Sequence, residues 1–202
     1  MTKLLPRAKV RADLHRLLIR FGIDTRKKRL DRVVLEQVIF PELQRGTRMH
    51  SILFVGCAWY TLHYPWVFRD KDFRTMEIDP DAACFGADKH LVGSCESLGT
   101  LLSRGELDCV ILNGVFGFGL NTPDGLNRTL QGIHHALRAG GLLIFGWNDL
   151  PAHAPFPPFS VEGWHCFEPY RFPPLKGESH ASDLINRHSF HFFLNRPSSI
   201  GK

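Results

Sequence analysis

A short apolar run that ends at a glycine places the strongest constraint on this chain. Residues 51–55 read SILFV, and Gly56 follows directly. Such a run predicts a buried strand closed by a tight turn, where glycine allows a positive φ and the close approach of a ligand. A second run, residues 73–79, ends in Glu77 and Asp79. Together they predict a βαβ unit with a carboxylate where the ribose hydroxyls of a nucleotide would bind.

Strand-like and helical patterns alternate from residue 50 to residue 148. The run LDCVILN at 107–113 is almost continuously apolar, as a strand buried on both faces of a parallel sheet requires. Residues 123–138 place Leu126, Leu130, Ile133 and Leu137 on one helical face, and another apolar run follows a glycine pair. The alternation predicts an α/β fold with a doubly wound, mostly parallel sheet and helices on both faces.

Two amphipathic helices are predicted before the sheet. The first, at 8–21, ends at Gly22 and carries an apolar face of Val10, Leu14, Leu17, Leu18 and Phe21. The second, at 27–40, is followed by Pro41, which is expected to break it. Alone, these helices would expose their apolar faces, so we expect them to pack on the sheet domain or against a second subunit. A monomer or a homodimer fits this expectation.

The composition changes after residue 150. Residues 151–175 hold seven of the thirteen prolines and many aromatic side chains, which predicts an irregular aromatic lobe beside the strand ends. A strand around 166–172 and a final strand at 188–194 are expected there. At 202 residues the chain is predicted to be a single domain. It divides into an N-terminal helical segment at 1–45, a core at 50–149, and the lobe with the final strands at 150–202.

Charge is distributed unevenly along the chain. Residues 1–32 contain eleven Lys and Arg against three Asp, a net +8, in a chain whose total is +5. A basic arm can bind nucleic acid. We favour a solvated helical face instead, because the basic residues are not interleaved with a series of aromatic side chains that could stack on bases.

Targeting signals and cysteine spacing limit which classes of protein this chain could belong to. No apolar run approaches the ~18 residues of a membrane-spanning helix, and the basic start lacks the apolar centre of a secretory signal. We therefore predict a cytoplasmic protein with no membrane partner. The five cysteines are widely spaced and form no CxxC pair, which predicts free thiols and no metal site.

The order of these elements, with four local sequences, resembles the class I S-adenosylmethionine-dependent methyltransferases between residues 51 and 149. The four are LFVGCAWYT at 53–61, MEIDPD at 76–81, VGSCESL at 92–98, and LDCVILNGVF at 107–116 followed by LRAGGLLIF at 137–145. The resemblance implies a Rossmann-like, seven-stranded sheet. It also implies S-adenosylmethionine as the cofactor and S-adenosylhomocysteine as the product.

The resemblance further implies roles for individual residues. The turn at Gly56, Cys57 and Ala58 would offer backbone donors to the methionine carboxylate of the cofactor. Glu77 would accept hydrogen bonds from the ribose hydroxyls, with Asp79 as the alternative acid or as a helix cap before the proline. The other implied contacts are Ile78 on the adenine ring, Ser94 and Cys95 beside it, and Asn113 and Val115 under the transferable methyl group.

A general base could come from the region after the fifth predicted strand. His153 and His165 lie there, and each can also be read as an ordinary surface or packed histidine. The sequence NGVF at 113–116 stands where amino-adenine and glutamine methyltransferases have a D/N-P-P-Y signature. This counts against those two acceptors.

The chain departs from the family pattern at its first motif. Phe54 stands where an acid is common, and Ala58 and Tyr60 replace later glycines. We therefore predict methyl transfer to an unknown, small-molecule acceptor beside one alternative, a methyltransferase-like interaction protein without catalysis. A dinucleotide oxidoreductase is disfavoured, because the G-x-G-x-x-G sequence is absent at Gly56.

Overall fold

The computed structural model describes residues 7–21 and 29–197. Within these ranges eight strands form one sheet: β1 Ser51–Val55, β2 Asp72–Glu77, β3 Lys89–Val92, β4 Leu107–Asn113, β5 Leu137–Asn148, β6 Phe167–Pro169, β7 Ser179–Asp183 and β8 His188–Asn195. The helices are α1 Arg7–Arg20, α2 Leu30–Val34, α3 Phe40–Arg45, α4 Tyr64–Val67, α5 Leu98–Leu101 and α6 Pro123–Ala136. None of the described helices is both long and apolar enough to cross a membrane.

The strand order is β3-β2-β1-β4-β5-β8-β6, with β7 also paired to β8. The first five strands are parallel, and β8 runs antiparallel to β5. This confirms the predicted mostly parallel, doubly wound α/β sheet. The predicted strand number of seven is wrong for the described residues, because the polar sequence SHASD forms the additional strand β7 beside β8.

Apolar side chains cover both faces of the sheet. In β4, Val110 and Leu112 pack with α5 and α6, whereas Cys109 and Ile111 pack on the opposite face with the helical segment at 30–45. This two-sided burial is the physical reason that the β4 sequence is an almost continuous apolar run.

The strand order reverses between β1 and β4. The chain moves outward from β1 to β2 and β3, and then returns to the other side of β1 to form β4. In an open parallel sheet the loops on either side of such a reversal diverge, which leaves a crevice at the carboxyl ends of the strands. Gly56 after β1 and Gly114 after β4 lie at this crevice.

The second N-terminal helix continues through Pro41 instead of ending before it. A π-helical turn, Leu35–Ile39, joins α2 to α3, and Pro41 lies in the first turn of α3. The wider π turn accommodates the proline ring, which would otherwise meet the carbonyl of Gln37 in a regular helix. The predicted break at Pro41 is therefore wrong. The predicted start of this helix at residue 27, and the predicted stop at Gly22, lie outside the described residues.

The first helix packs on the sheet domain through the face opposite its apolar one, so only the first of the two predicted alternatives, packing of the apolar face on the sheet domain, is wrong. Ala12 is buried, and the ring of His15 stacks on Trp59 with centroids 4.8 Å apart. Arg16 donates to the carbonyl of Cys84 at 2.7 Å. The predicted apolar face does not pack on the sheet: four of its members are at least half exposed, namely Val10, Leu14, Leu17 and Phe21. Small and polar residues on the other face make the contacts instead.

Candidate functional site

A cleft of about 530 Å³ opens at the carboxyl ends of β1, β2, β3 and β4. Six of the predicted site residues line it: Gly56, Glu77, Ile78, Ser94, Cys95 and Val115. The other lining residues are Val55, Met76, Gly93, Glu96, Gly114, Phe118, Gly119 and Leu120. Residues from four strand ends thus meet at the place where the strand order reverses.

Gly56 makes the turn out of β1, and its amide donates to the carbonyl of Met76 at 2.9 Å. Its φ is +96°, a left-handed conformation that side chains disfavour. A Cβ atom here would lie 3.1 Å from Val115 Cγ2 and 3.3 Å from the carbonyl oxygen of Asn113. The turn therefore brings bare backbone against the cleft.

Glu77 ends β2 with its carboxylate held by backbone donors. The amide of Cys57 donates to Oε2 at 3.0 Å, and the amides of Ile78 and Asp79 donate to Oε1 at 2.8 and 3.3 Å. These bonds join the β2 end to the Gly56 turn and fix the carboxylate without a cationic partner among the described residues. Each oxygen keeps acceptor capacity for a further donor, such as a hydroxyl.

Asp79 has a different role from Glu77. Its Oδ1 accepts from the amide of Asp81 at 2.9 Å and caps the 3₁₀ helix Pro80–Phe85. Asp79 is not among the residues that line the cleft. The geometry favours Glu77 over Asp79 as the acid that faces a ligand.

The loop after β3 forms the far wall of the cleft. Ser94 caps the 3₁₀ helix Cys95–Ser97 by accepting from the amide of Glu96 at 3.2 Å. Burial raises the pKa of the Cys95 thiol, which therefore stays protonated. Ile78, which lines the same cleft, is 64% exposed although it is apolar. An exposed apolar side chain in a cleft suits contact with a flat aromatic ring.

Three of the predicted site residues, Cys57, Ala58 and Asn113, do not line the cleft themselves. Cys57 and Ala58 are outside its lining, and burial raises the pKa of the Cys57 thiol to about 12. The side chain of Asn113 is buried, and its Oδ1 lies 2.9 Å from Nε2 of His188. His188 Nδ1 is in turn 2.7 Å from the hydroxyl of Ser182. Nδ2 of Asn113 has no hydrogen-bond partner within the described part of the chain.

A glycine-rich loop at 114–120 closes the cleft on the β4 side. Gly114, Gly117 and Gly119 all have positive φ, and Phe118 projects between them with 55% of its surface exposed. The ring of Phe118 stacks on His153 with centroids 4.4 Å apart, so His153 lies at the rim. His165 is exposed on the 3₁₀ helix Glu162–Cys166, which packs on α6, and it is not among the residues lining the cleft.

Arg32 is a buried cation beside the cleft that the sequence did not single out. It is 7% exposed, donates from Nη1 to the Tyr64 hydroxyl at 3.1 Å, and lies 4.7 Å above the ring of Tyr60. Its Nη2 lies 3.8 Å from the point that a Gly114 Cβ would occupy, and donates no hydrogen bond within 7–21 and 29–197. An acceptor group at this place would give Arg32 Nη2 a hydrogen-bond partner.

The carboxylate nearest to Arg32 lies closer to a second guanidinium group. Asp31 is 3.7 Å from Arg32 but only 3.1 Å from Arg29, which also interacts with the buried Asp183. Glu36 reaches Arg32 only through the Tyr64 hydroxyl, to which it is bonded at 3.0 Å. An anion near Gly114 would therefore be favoured.

Arg32 and Phe118 were missed for different reasons. Arg32 is one of eleven Lys and Arg in the first 32 residues, and only tertiary packing distinguishes it from the exposed ones. Phe118 lies in GVFGFG at 114–119, and this density of glycine could have marked a loop that approaches a ligand. Across residues 7–21 and 29–197, His, Cys, Asp and Glu side chains form no group of three that could hold a metal ion.

Comparisons with known proteins identify structural neighbours only. No protein-family model and no curated protein sequence matches this chain. The N-methyltransferase NodS from Bradyrhizobium japonicum WM9 aligns with a TM-score of 0.61 at 13% identity, covering 83% of this chain and 97% of that chain. NodS in complex with S-adenosyl-L-homocysteine aligns at 0.59 and 14% identity, covering 91% of this chain and 98% of that one. A TehB-like SAM-dependent methyltransferase from Corynebacterium glutamicum ATCC 13032 Kitasato aligns at 0.52 and 20% identity, covering 94% and 98%.

Proposed function

We propose that this chain, whose fold is that of the class I S-adenosylmethionine-dependent methyltransferases, binds S-adenosylmethionine in the cleft and transfers its methyl group to a small molecule. The main support is the carboxylate of Glu77, which three backbone amides hold at the end of β2 in a cleft at the strand-order reversal. A fixed carboxylate with spare acceptor capacity at this place suits the paired hydroxyls of a ribose.

The residues around the cleft suit the remaining parts of the cofactor. Ile78 and the Ser94 loop would enclose the adenine ring. The Gly56 turn would let the methionine part lie against backbone, and Arg32 Nη2 would bind its carboxylate beside Gly114. Phe54, which stands where an acid is common in the family, is buried in the core against Tyr64. The cofactor's ammonium group therefore has no partner at that position.

When bound, S-adenosylmethionine supplies an activated methyl group, so the protein's main task is alignment of the acceptor. Val115 and the glycine-rich loop would exclude water on the β4 side of the reacting atoms. His153, at the rim under Phe118, would take a proton from acceptors that must lose one. His165 is on a different surface and is assigned no part in the reaction.

The first experiment is calorimetric titration with S-adenosylhomocysteine. We expect wild-type protein to bind and Glu77→Ala to weaken binding by roughly 1–3 kcal/mol, because the substitution leaves the donors of a charge-assisted hydrogen bond unmet. Asp79→Ala is the matched control: it removes a neighbouring acid that caps a 3₁₀ helix, so it should lower thermal stability and leave affinity near wild type.

Two results would contradict the assignment. Intact binding by Glu77→Ala with loss of binding by Asp79→Ala would move the ribose acid to Asp79. No wild-type binding at millimolar ligand would remove the cofactor site. The alternative of a methyltransferase-like interaction protein without catalysis would then take precedence, and the missing acid at position 54 is the observation that favours it.

A further inference from the structure

Apolar side chains of α1 point away from the rest of the protein. Val10, Leu14 and Leu17 are 53%, 53% and 50% exposed, and Phe21, just beyond the helix, is 74% exposed. They recur at helical spacing and form one stripe. The opposite face of the helix contacts Trp59 and Cys84, so the orientation of the stripe is set by packing on its other side.

A second apolar patch lies at the turn between β7 and β8. Leu184 and Ile185 are 80% and 85% exposed, the highest values among the large apolar side chains of the described residues. Leu30 and Val33 of α2 are 56% and 39% exposed. Because α2 packs on β7, these side chains belong to the same side of the molecule as the turn.

Both patches lie at the end of the sheet where the cleft opens. The contacts of α1, Trp59 and Cys84, follow the carboxyl ends of β1 and β2. The turn at 184–187 leads into His188, which pairs with Asn148 at the carboxyl end of β5. From β2 to β8 is four strand spacings, or about 20 Å, so the patches stand on the two sides of the cleft.

Basic side chains accompany both patches. Helix α1 carries five Lys and Arg against one Asp, with Arg11 over the Trp59 ring and Arg16 paired with Asp13, and Arg187 at the turn pairs with Asp149. Residues 1–32 have a net charge of +8, while the rest of the chain has a net −3. Apolar side chains flanked by Lys and Arg are typical of elements that lie in the headgroup region of an anionic bilayer.

Other occupants fit these observations less well. Two copies meeting through α1 would bring together two helices that each carry five Lys and Arg against one Asp, which repels. A groove on a single protein partner would engage one helical stripe, whereas this end presents two separate apolar patches. A charged, extended lipid surface contacts both at once.

We propose that the cleft end of this protein docks peripherally on an anionic lipid bilayer, with the α1 stripe and the turn at 184–185 entering the headgroup region. The proposal does not depend on methyl transfer. It replaces the prediction, made from the sequence, that the protein has no membrane partner. That prediction rested on the lack of a spanning helix, which is a different mode of membrane contact.

The test is co-sedimentation of the full chain with vesicles. We expect binding to phosphatidylcholine vesicles containing about 30 mol% phosphatidylglycerol and at least tenfold weaker binding to pure phosphatidylcholine, because the attraction is partly electrostatic. Raising the salt from about 0.1 M to about 0.5 M should weaken binding as well. Leu14→Glu with Leu17→Glu should reduce partitioning about tenfold or more, and Leu184→Glu with Ile185→Glu should do so independently.

Trp66→Glu is the matched control, since Trp66 is 70% exposed but lies on α4, in the segment that runs back to the start of β2. This variant should bind vesicles like wild type. Circular dichroism confirms that each variant is folded. Absence of wild-type binding, equal binding to both vesicle types, or wild-type binding by both double variants would overturn the proposal. So would a dimer in light scattering that Leu14→Glu with Leu17→Glu abolishes, because the second copy would then be the occupant.

Discussion

Gly56 is restricted to glycine by two independent features. Its φ of +96° disfavours any side chain, and a Cβ atom would come within 3.1 Å of Val115 and 3.3 Å of the Asn113 carbonyl. The second feature also concerns function, because the carbonyl belongs to β4 and cannot move without shifting the cleft wall. The turn is thus under both conformational and steric constraint.

We therefore expect Gly56→Val to abolish binding of S-adenosylhomocysteine and to lower stability by about 1–3 kcal/mol, from a β-branched residue in a left-handed conformation with close contacts. Calorimetry and thermal melting measure the two effects. Gly105→Ala is the control. Gly105, which lies just before β4, also has a positive φ, +68°, but its Cβ would meet only Arg138, at 3.7 Å or more. It should lose stability and keep binding. Wild-type affinity in Gly56→Val would place the ligand elsewhere.

At the residue scale, local sequence was sufficient where one short segment builds the contact. Gly56 follows β1 and Glu77 ends β2, although the bond from the Cys57 amide to Glu77 joins residues 20 positions apart. Asn113 ends β4, but its side chain is buried, and its hydrogen bond to His188 joins residues 75 positions apart. Arg32 likewise becomes distinct only after α2 packs beside Gly114. Such contacts depend on tertiary structure, which spacing along the chain does not encode.

Strand β8 holds a buried histidine, His188, and a partly buried one, His191, in their neutral form. Burial lowers the pKa of His188 to about 4, while Asp31 raises this pKa and Arg32 lowers it by smaller amounts. Burial lowers the pKa of His191 to about 4 as well. His188 lies between Asn113 and Ser182, so protonation would disturb the link between β4 and the β7–β8 hairpin.

We expect stability to fall as the pH decreases from about 6.5 to about 4. In this window the unfolded chain takes up a proton at each histidine while the folded chain does not, which stabilises the unfolded state. For His188 the loss amounts to about 3 kcal/mol at the lower limit. Urea titrations across this range measure it.

His188→Gln should flatten the pH dependence while lowering stability at neutral pH, and His191→Gln provides a second variant in the same strand. An unchanged slope in both variants would show that these histidines are not held neutral. Asp72 contributes little in this window: hydrogen bonding from Arg74 lowers its pKa from 3.8 to about 2, so the stability that it adds is lost mainly below the unfolded value of 3.8.

At the element scale, the strands that are buried on both faces were the ones that the sequence predicted. Strands β1, β4 and β5 are covered on both faces and therefore read as continuous apolar runs. Strand β7 reads SHASD, which has no such run, and it was missed. The apolar stripe of α1 was predicted to pack on the sheet domain or against a second subunit, and in the structure Ala12 and His15 make the contacts with the sheet domain and leave the stripe exposed. Periodicity identifies a helix face; it does not say whether this protein or another surface covers it.

For the whole molecule, we propose that the sheet and the aromatic lobe form a single domain. One sheet runs from Ser51 to Asn195, and β6, within the lobe, pairs directly with β8. Trp164 of the lobe packs on Phe145 and Phe193 of the sheet, with ring centroids 5.4 and 4.7 Å away. Contacts of this kind couple the lobe to the sheet core.

A single domain should unfold in one transition. We expect urea curves from far-ultraviolet circular dichroism and from tryptophan fluorescence to have the same midpoint. A Trp164→Phe variant keeps the apolar packing and removes the main lobe reporter, so its curves should also coincide. Separate midpoints for lobe and core signals would mean that residues 150–197 form a unit of their own.

Strand β8 is the last of the eight strands in chain order, yet it lies inside the sheet, with β5 along one edge and β6 and β7 along the other. During synthesis the edge of β5 therefore remains unpaired until residues 188–195 have left the ribosome. Phe172 also lacks its stacking partner during this time, because the ring on which it stacks belongs to Phe192. A nascent chain that pauses in this interval presents an apolar, unpaired strand edge, the feature that promotes aggregation and attracts chaperones.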